Sequence, residues 1–245
     1  MNTFQAIFAV AIATTAVSAA PPLSDLFAAR AADRFLKESI LNRDFDIDAR
    51  PPSDGPTAVK TSMYVMELGF CPKHQELRLS GYLRQFWNDK RLSVPAIEEK
   101  RTTMKMRDIW SDRRIWVPDM FVAGDRGALV AATPAETGGR SFVKVESNGD
   151  VLASAKISSK IGCPVAADAS EVECEFAVES YGHRAEDISY GWKPEGVLIS
   201  DAAKELLRNQ GWELVESATE DRTLDITQTG RYDVAVLKLK LAKIE

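Results

Sequence analysis

From Val59 onward the apolar residues recur at every second position. The segments Thr61–Leu68, Glu76–Trp87 and Ile115–Val122 each alternate in this way, with turn residues between them. Period two puts successive side chains on opposite faces, so each segment predicts a strand with one face toward a core. Ser147-Asn148-Gly149-Asp150 predicts a hairpin turn of type I′ joining Phe142–Glu146 to Val151–Ser159. The chain leaving Cys174 alternates again as far as Glu179, and Ile188–Trp192, Trp212–Val215 and Tyr232–Leu241 supply further strands. Short strands at near-regular spacing predict an all-β sandwich.

The period changes twice. After Pro21-Pro22, Ser24 can cap a helix whose apolar positions Leu26, Phe27, Ala31, Phe35 and Leu36 fall near helical spacing. The run Ser200–Arg208 before Gly211 has an N-cap, good helix formers and a terminal glycine, and predicts a short helix. Between the first helix and the first strand, Arg50–Pro56 holds three prolines and a glycine, which no helix or central strand accommodates.

Composition narrows the function. At 245 residues and 45% hydrophobic content the chain can bury one full-sized core. A net charge of -5 and the lack of any run of Lys and Arg argue against a nucleic-acid partner, which needs a basic patch. Residues 1–19 are apolar from Phe4 to Ala16 and end in Val17-Ser18-Ala19, the small-x-small pattern of a signal peptide cleavage site. The run is shorter than the roughly 20 residues of a membrane span. The reading is therefore a leader at 1–19, a single domain at 20–245, no membrane insertion and a secreted, extracellular product. Sequencing the N-terminus of the exported protein is expected to begin at Ala20, within a residue or two; recovery in membranes with Met1 retained would instead make the segment an anchor.

Three cysteines leave one unpaired in an oxidising compartment. Cys163 and Cys174, which enclose ten residues, are the natural pair, and Cys71 is left as an idle thiol or a bridge to another chain. Catalysis is the least supported class. The only histidines are His74 and His183, and no GxSxG, HExxH, CxxC or phosphate-cradling glycine loop is present. Nothing in the residues calls for a cofactor or a metal, and the chain is read as not an enzyme. Alternation within Arg78–Phe86 puts Tyr82 and Arg84 on one face and Leu79 and Leu83 on the other. Ser154 and Lys156 likewise share the face opposite Val151, Ala153, Ala155 and Ile157. By residue pattern alone these are solvated strand faces.

The order of parts changes that reading. Cys163 to Cys174, the strand ending in Glu179-Ser180-Tyr181-Gly182, Trp116-Val117-Pro118-Asp119-Met120-Phe121, Tyr82–Asp89 and Thr229-Gly230-Arg231-Tyr232 stand in one sequence. That sequence resembles the ligand-binding domain of the Cys-loop receptors, the pentameric neurotransmitter-gated ion channels, and within them the branch recognising γ-aminobutyrate, glycine and glutamate. The resemblance runs from about Leu23 to Leu241. It implies an immunoglobulin-like β-sandwich of about ten strands with an N-terminal helix, assembled as a homopentameric ring. It also implies a ligand site between subunits, with Phe121, Glu179, Ser180, Tyr181, Thr229 and Tyr232 on the principal side and Tyr82, Arg84 and Ser154 on the complementary side. Such a site would hold a small amine or amino acid, its ammonium near Glu179 and the aromatic rings and its acid at Arg84.

The departures are equally specific. The segment Pro164–Glu173 is shorter than the receptors' loop and carries no aromatic residue, and Phe70–His74 differs from the loop beside it. There is no adjacent cysteine pair between Trp212 and Tyr232, and Thr227 stands where a closing aromatic often sits. With the chain ending at Glu245, the expectation is a pore-free protein similar in organisation to the secreted acetylcholine-binding proteins. The alternative is a scaffold that kept the fold and lost the ligand.

Overall fold

Alternation is clearest in Thr57–Cys71 (β1), where Val59, Thr61, Met63 and Val65 are buried while Lys60, Ser62 and Tyr64 face outward. The computed structural model describes residues 23–41, 43–44, 46–94, 103–107, 115–126, 141–166 and 169–244; the leader expected at 1–19 lies outside them. Strands follow at Glu76–Asn88 (β2), Thr103–Arg107 (β3), Met120–Ala123 (β4), Ser141–Glu146 (β5), Asp150–Gly162 (β6), Glu171–Ser180 (β7), Ile188–Ile199 (β8), Trp212–Ile226 (β9) and Gly230–Lys243 (β10). Helices lie at Leu23–Leu41 (α1) and Asp201–Arg208 (α2).

The strands form two sheets, ordered β3-β5-β6-β2-β1-β8 and β4-β7-β10-β9. Pairing is antiparallel except between β1 and β8. Met63, Leu79, Leu83, Phe176, Val178, Leu237 and Leu239 belong to one buried cluster drawn from the inner faces of both sheets. This is the β-sandwich that the period-two pattern predicts, with the N-terminal helix that the helical spacing before it predicts.

Cys163, directly after β6, is bonded to Cys174 within β7, with Cα atoms 5.0 Å apart, and both residues are buried. The bond therefore ties the six-stranded sheet to the four-stranded one. Cys71 stays outside it, its Sγ 3.6 Å from His74 Nδ1. Replacing both bonded cysteines by serine is expected to cost about 3 kcal/mol through the unfolded chain's freedom alone. Burying two hydroxyls in an apolar cluster adds to that cost. Urea unfolding measures the sum, and non-reducing peptide mapping checks the pairing; a Cys71 linkage would overturn it.

Several elements differ from expectation. Of the predicted strand 115–122 only residues 120–122 are extended in a sheet, as part of β4. Ile115 and Trp116 are adjacent and both buried, which a strand facing one core cannot achieve; Trp116 meets Trp87 edge to face, ring centres 6.0 Å apart. In α1 the buried seam is Leu36 and Ile40, one turn apart, whereas Phe35 is 48% exposed. The β5–β6 turn is not type I′, because only Gly149 has a positive φ (87°). Gly149 N–H donates to Glu146 C=O at 2.9 Å, the pattern of a type I turn followed by a left-handed glycine. A Cβ at Gly149 would lie 2.6 Å from Asp89 C=O, so only glycine lets this turn pack on the chain leaving β2.

The helix predicted at 200–208 forms at Asp201–Arg208. Ser200 Oγ accepts from Ala203 N–H at 3.1 Å, Ala203 and Leu207 are buried, and Gly211 (φ 80°) turns the chain out. Strands β8 and β9 run well past their predicted ends. Beyond Val215 most of β9 is exposed on both faces, and pairing with β10 from Lys243↔Trp212 to Gly230↔Ile226 is what keeps it extended. Charges guard this edge: Arg222 pairs with Glu175 at 2.6 Å and Lys238 with Glu220 at 2.6 Å.

Candidate functional site

Register brings the predicted principal-side residues to one corner of the four-stranded sheet. Phe121 on β4 stands opposite Glu179 on β7, and Glu179 stands opposite Val234 on β10. All three therefore share the outer face. Tyr181, two residues beyond Glu179, continues that face; its ring meets Phe121 edge to face at 5.6 Å, and it is 79% exposed. Tyr232, two residues before Val234, lies on the same face of β10 and is paired with Leu224 on β9. Its hydroxyl donates to Thr229 C=O at 3.4 Å, within the β9–β10 turn where Thr229 is exposed. Leu224 was not anticipated; only the pairing of β9 with β10 puts it beside Tyr232.

Glu179 is half-buried, and burial raises its carboxyl above the usual carboxylate range. Among the described residues it has neither an ion-pair nor a hydrogen-bond partner. A partly desolvated carboxylate on the same face as Phe121 and Tyr181 has the chemistry to attract a cation.

Ser180 does something different. It is buried, and its Oγ donates to Asp119 Oδ1 at 2.5 Å while accepting His183 N–H at 2.8 Å. Asp119 also accepts Gly182 N–H through Oδ2 at 2.7 Å and Tyr181 N–H through its own carbonyl at 3.2 Å. His183 Nδ1 is 3.3 Å from the same Oδ2. Asp119 thus clamps the turn that presents Tyr181, and the Ser180 hydroxyl belongs to the clamp. The sequence signal lies in Trp116–Asp119, the stretch whose resemblance points to the neighbouring Phe121. The β9–β10 turn is tied to the same region, since Ala185 N–H donates to Arg231 C=O at 2.8 Å.

The predicted complementary residues lie on the outer face of the six-stranded sheet. One register row runs Ser62, Arg84, Ser154, Phe142 and the next runs Tyr64, Tyr82, Lys156. Tyr82 and Arg84 are half-exposed, while Ser154 is buried within its row. Arg84 has no hydrogen-bond or ion-pair partner among the described residues. The two sheets are back to back, so Glu179 and Arg84 of one chain face away from each other. Each of these two faces carries one charge without a partner among the described residues.

With this geometry in view, comparison with known proteins is specific. The family model described as neurotransmitter-gated ion-channel ligand binding domain matches residues 33–242. The glycine receptor subunit beta of Rattus norvegicus is 26% identical over 163 residues, covering 63% of this chain and 32% of the relative; those of Mus musculus and Homo sapiens give the same figures. The chain thus spans about a third of the length of the curated relatives it matches.

Proposed function

This chain belongs to the neurotransmitter-gated ion-channel ligand-binding domain family, and from that premise we propose that it binds a small amine carrying an anionic group at the interface between copies of itself in a ring of five. The observation that carries the reading is Glu179, a desolvated and unpaired carboxylate set beside Phe121 and Tyr181. An ammonium there gains the carboxylate and the faces of Tyr181 and Tyr232, the latter contributing about 0.5–2 kcal/mol according to desolvation. The acid end goes to Arg84 of the next copy, whose guanidinium is suited to bidentate pairing. Tyr82 lines that side and Ser154 supports the Arg84 row. Thr229 at the hairpin tip closes over the ligand.

A ring satisfies the geometry because a head-to-tail contact either closes or grows into a filament. The relatives' name, glycine receptor, puts amino-acid ligands first among the candidates. The Cys163–Cys174 bond suits an oxidising, extracellular compartment, and among the described residues no helix is long and apolar enough to cross a membrane.

Native mass spectrometry of the exported protein is expected to give five copies. A thermal-shift screen of amines, amino acids and their neutral analogues then tests the site. Ligand at about a hundred times its Kd adds roughly 2.7 kcal/mol per site. Arg84→Ala is expected to weaken acids selectively, and Tyr181→Ala to weaken every amine. A stable monomer, or a hit that survives both substitutions unchanged, sinks this reading and favours a scaffold.

A further inference from the structure

A second cleft lies one register row from Arg84, on the outer face of the six-stranded sheet. The row Lys60, Phe86, Leu152, Lys144 crosses β1, β2, β6 and β5. Together with Lys193 on β8 it lines a cavity of about 450 Å³, within the size range of small-molecule sites. None of these residues belongs to the amine site described above.

The charges in this cleft are unequal in their partners. Lys144 Nζ is paired with Glu146 at 2.7 Å, and Lys60 Nζ lies 3.7 Å from Asp221. Asp150, at the same end as Glu146, has its carboxylate held by the Asn88 and Asn148 amides at 2.8 Å each. Lys193 alone of the three lysines has no carboxylate among the described residues. Its Nζ rests 3.7 Å from the centre of the Phe86 ring. An ammonium parked on an aromatic face keeps its remaining donors directed away from the ring, where an anion can take them.

From this arrangement we infer that the cleft is a binding site for a small monocarboxylate with an apolar body. The carboxylate pairs with Lys193 Nζ, with Lys60 beside it, and the apolar part lies along Phe86 and Leu152. At the other end Lys144 is offset by Glu146, and the Asp150 carboxylate keeps its negative charge among the Asn88 and Asn148 amides, which disfavours a second anionic group there. The lining comes from one chain and shares no residue with the amine site, although it lies one register row from the Arg84 that the proposed interface uses.

Benzoate and its neutral counterpart benzamide test the assignment by calorimetric titration of the full chain. Benzoate is expected to bind saturably and benzamide not to. Lys193→Gln changes an exposed side chain and is expected to leave the unliganded melting temperature unaltered while weakening benzoate about tenfold or more, as loss of a charge-assisted hydrogen bond does. Arg84→Ala is expected to leave benzoate binding intact. The inference is overturned if benzoate does not bind at millimolar concentration, if Lys193→Gln binds it as wild type does, or if Arg84→Ala abolishes it.

Discussion

Glu179→Gln is expected to weaken amine binding roughly ten- to a hundredfold while leaving the protein at least as stable at neutral pH. The carboxylate is half-buried without a partner, and burial holds its pKa above the ordinary value. For such an acid the favourable situation is the protonated one. Its contribution to stability is fully present below the unfolded-state pKa and is lost as pH rises through the raised folded pKa. Above that window the wild type bears an uncompensated charge that glutamine lacks. Thermal unfolding followed against pH should therefore show the wild type losing stability relative to Glu179→Gln across this window.

Binding runs the other way. An ammonium ligand favours the ionised carboxylate, so affinity falls as pH drops through the Glu179 titration, at higher pH than an exposed glutamate would give. Loss of a charge-assisted contact is worth about 1.5–3 kcal/mol, roughly ten- to a hundredfold in affinity. Equal affinity in the glutamine variant, or the same acid limb in both proteins, would remove Glu179 from the site.

Gly81→Ala is expected to destabilise the fold by about 3 kcal/mol or more, the upper range for single substitutions. A Cβ at this position would lie 2.0 Å from Tyr64 C=O and 3.1 Å from Val65 Cα, backbone atoms that no rotamer change can move aside. Beside it, the β1–β2 register shifts between Val65 and Glu67, and Gly81 lets β2 approach this irregular stretch. Because β1 and β2 are central in their sheet, separating them disturbs the row that presents Tyr82. Urea unfolding of the purified variant checks this, and an unchanged midpoint would mean the close approach is absent. If the variant does not fold at all, its absence from the soluble fraction beside wild type expressed in parallel agrees with the expectation.

Local pattern and tertiary structure divide the remaining detail between them. Alternation is a property of a few consecutive residues, and by itself it places β1, β2, β6, β7 and β10 and separates Leu79 and Leu83 from Tyr82 and Arg84. Helix α2 was legible for the same reason, its cap and terminal glycine lying within a dozen residues. Pairing with partners far along the chain decided the rest. Strand β9 is extended beyond Val215 because β10 holds it, although its polar sequence carries no period to announce a core. The Ser180 hydroxyl belongs to Asp119, 61 positions earlier, and motif matching sees both residues but not the bond between them. Ile115 and Trp116 leave the strand pattern because Trp87 and its neighbours offer a better burial than a sheet edge. By itself the sequence determined which residues can face a core, whereas register between distant strands decided which exposed residues meet, because hydrogen-bonded pairing is set by the partner strand as well as by the strand itself.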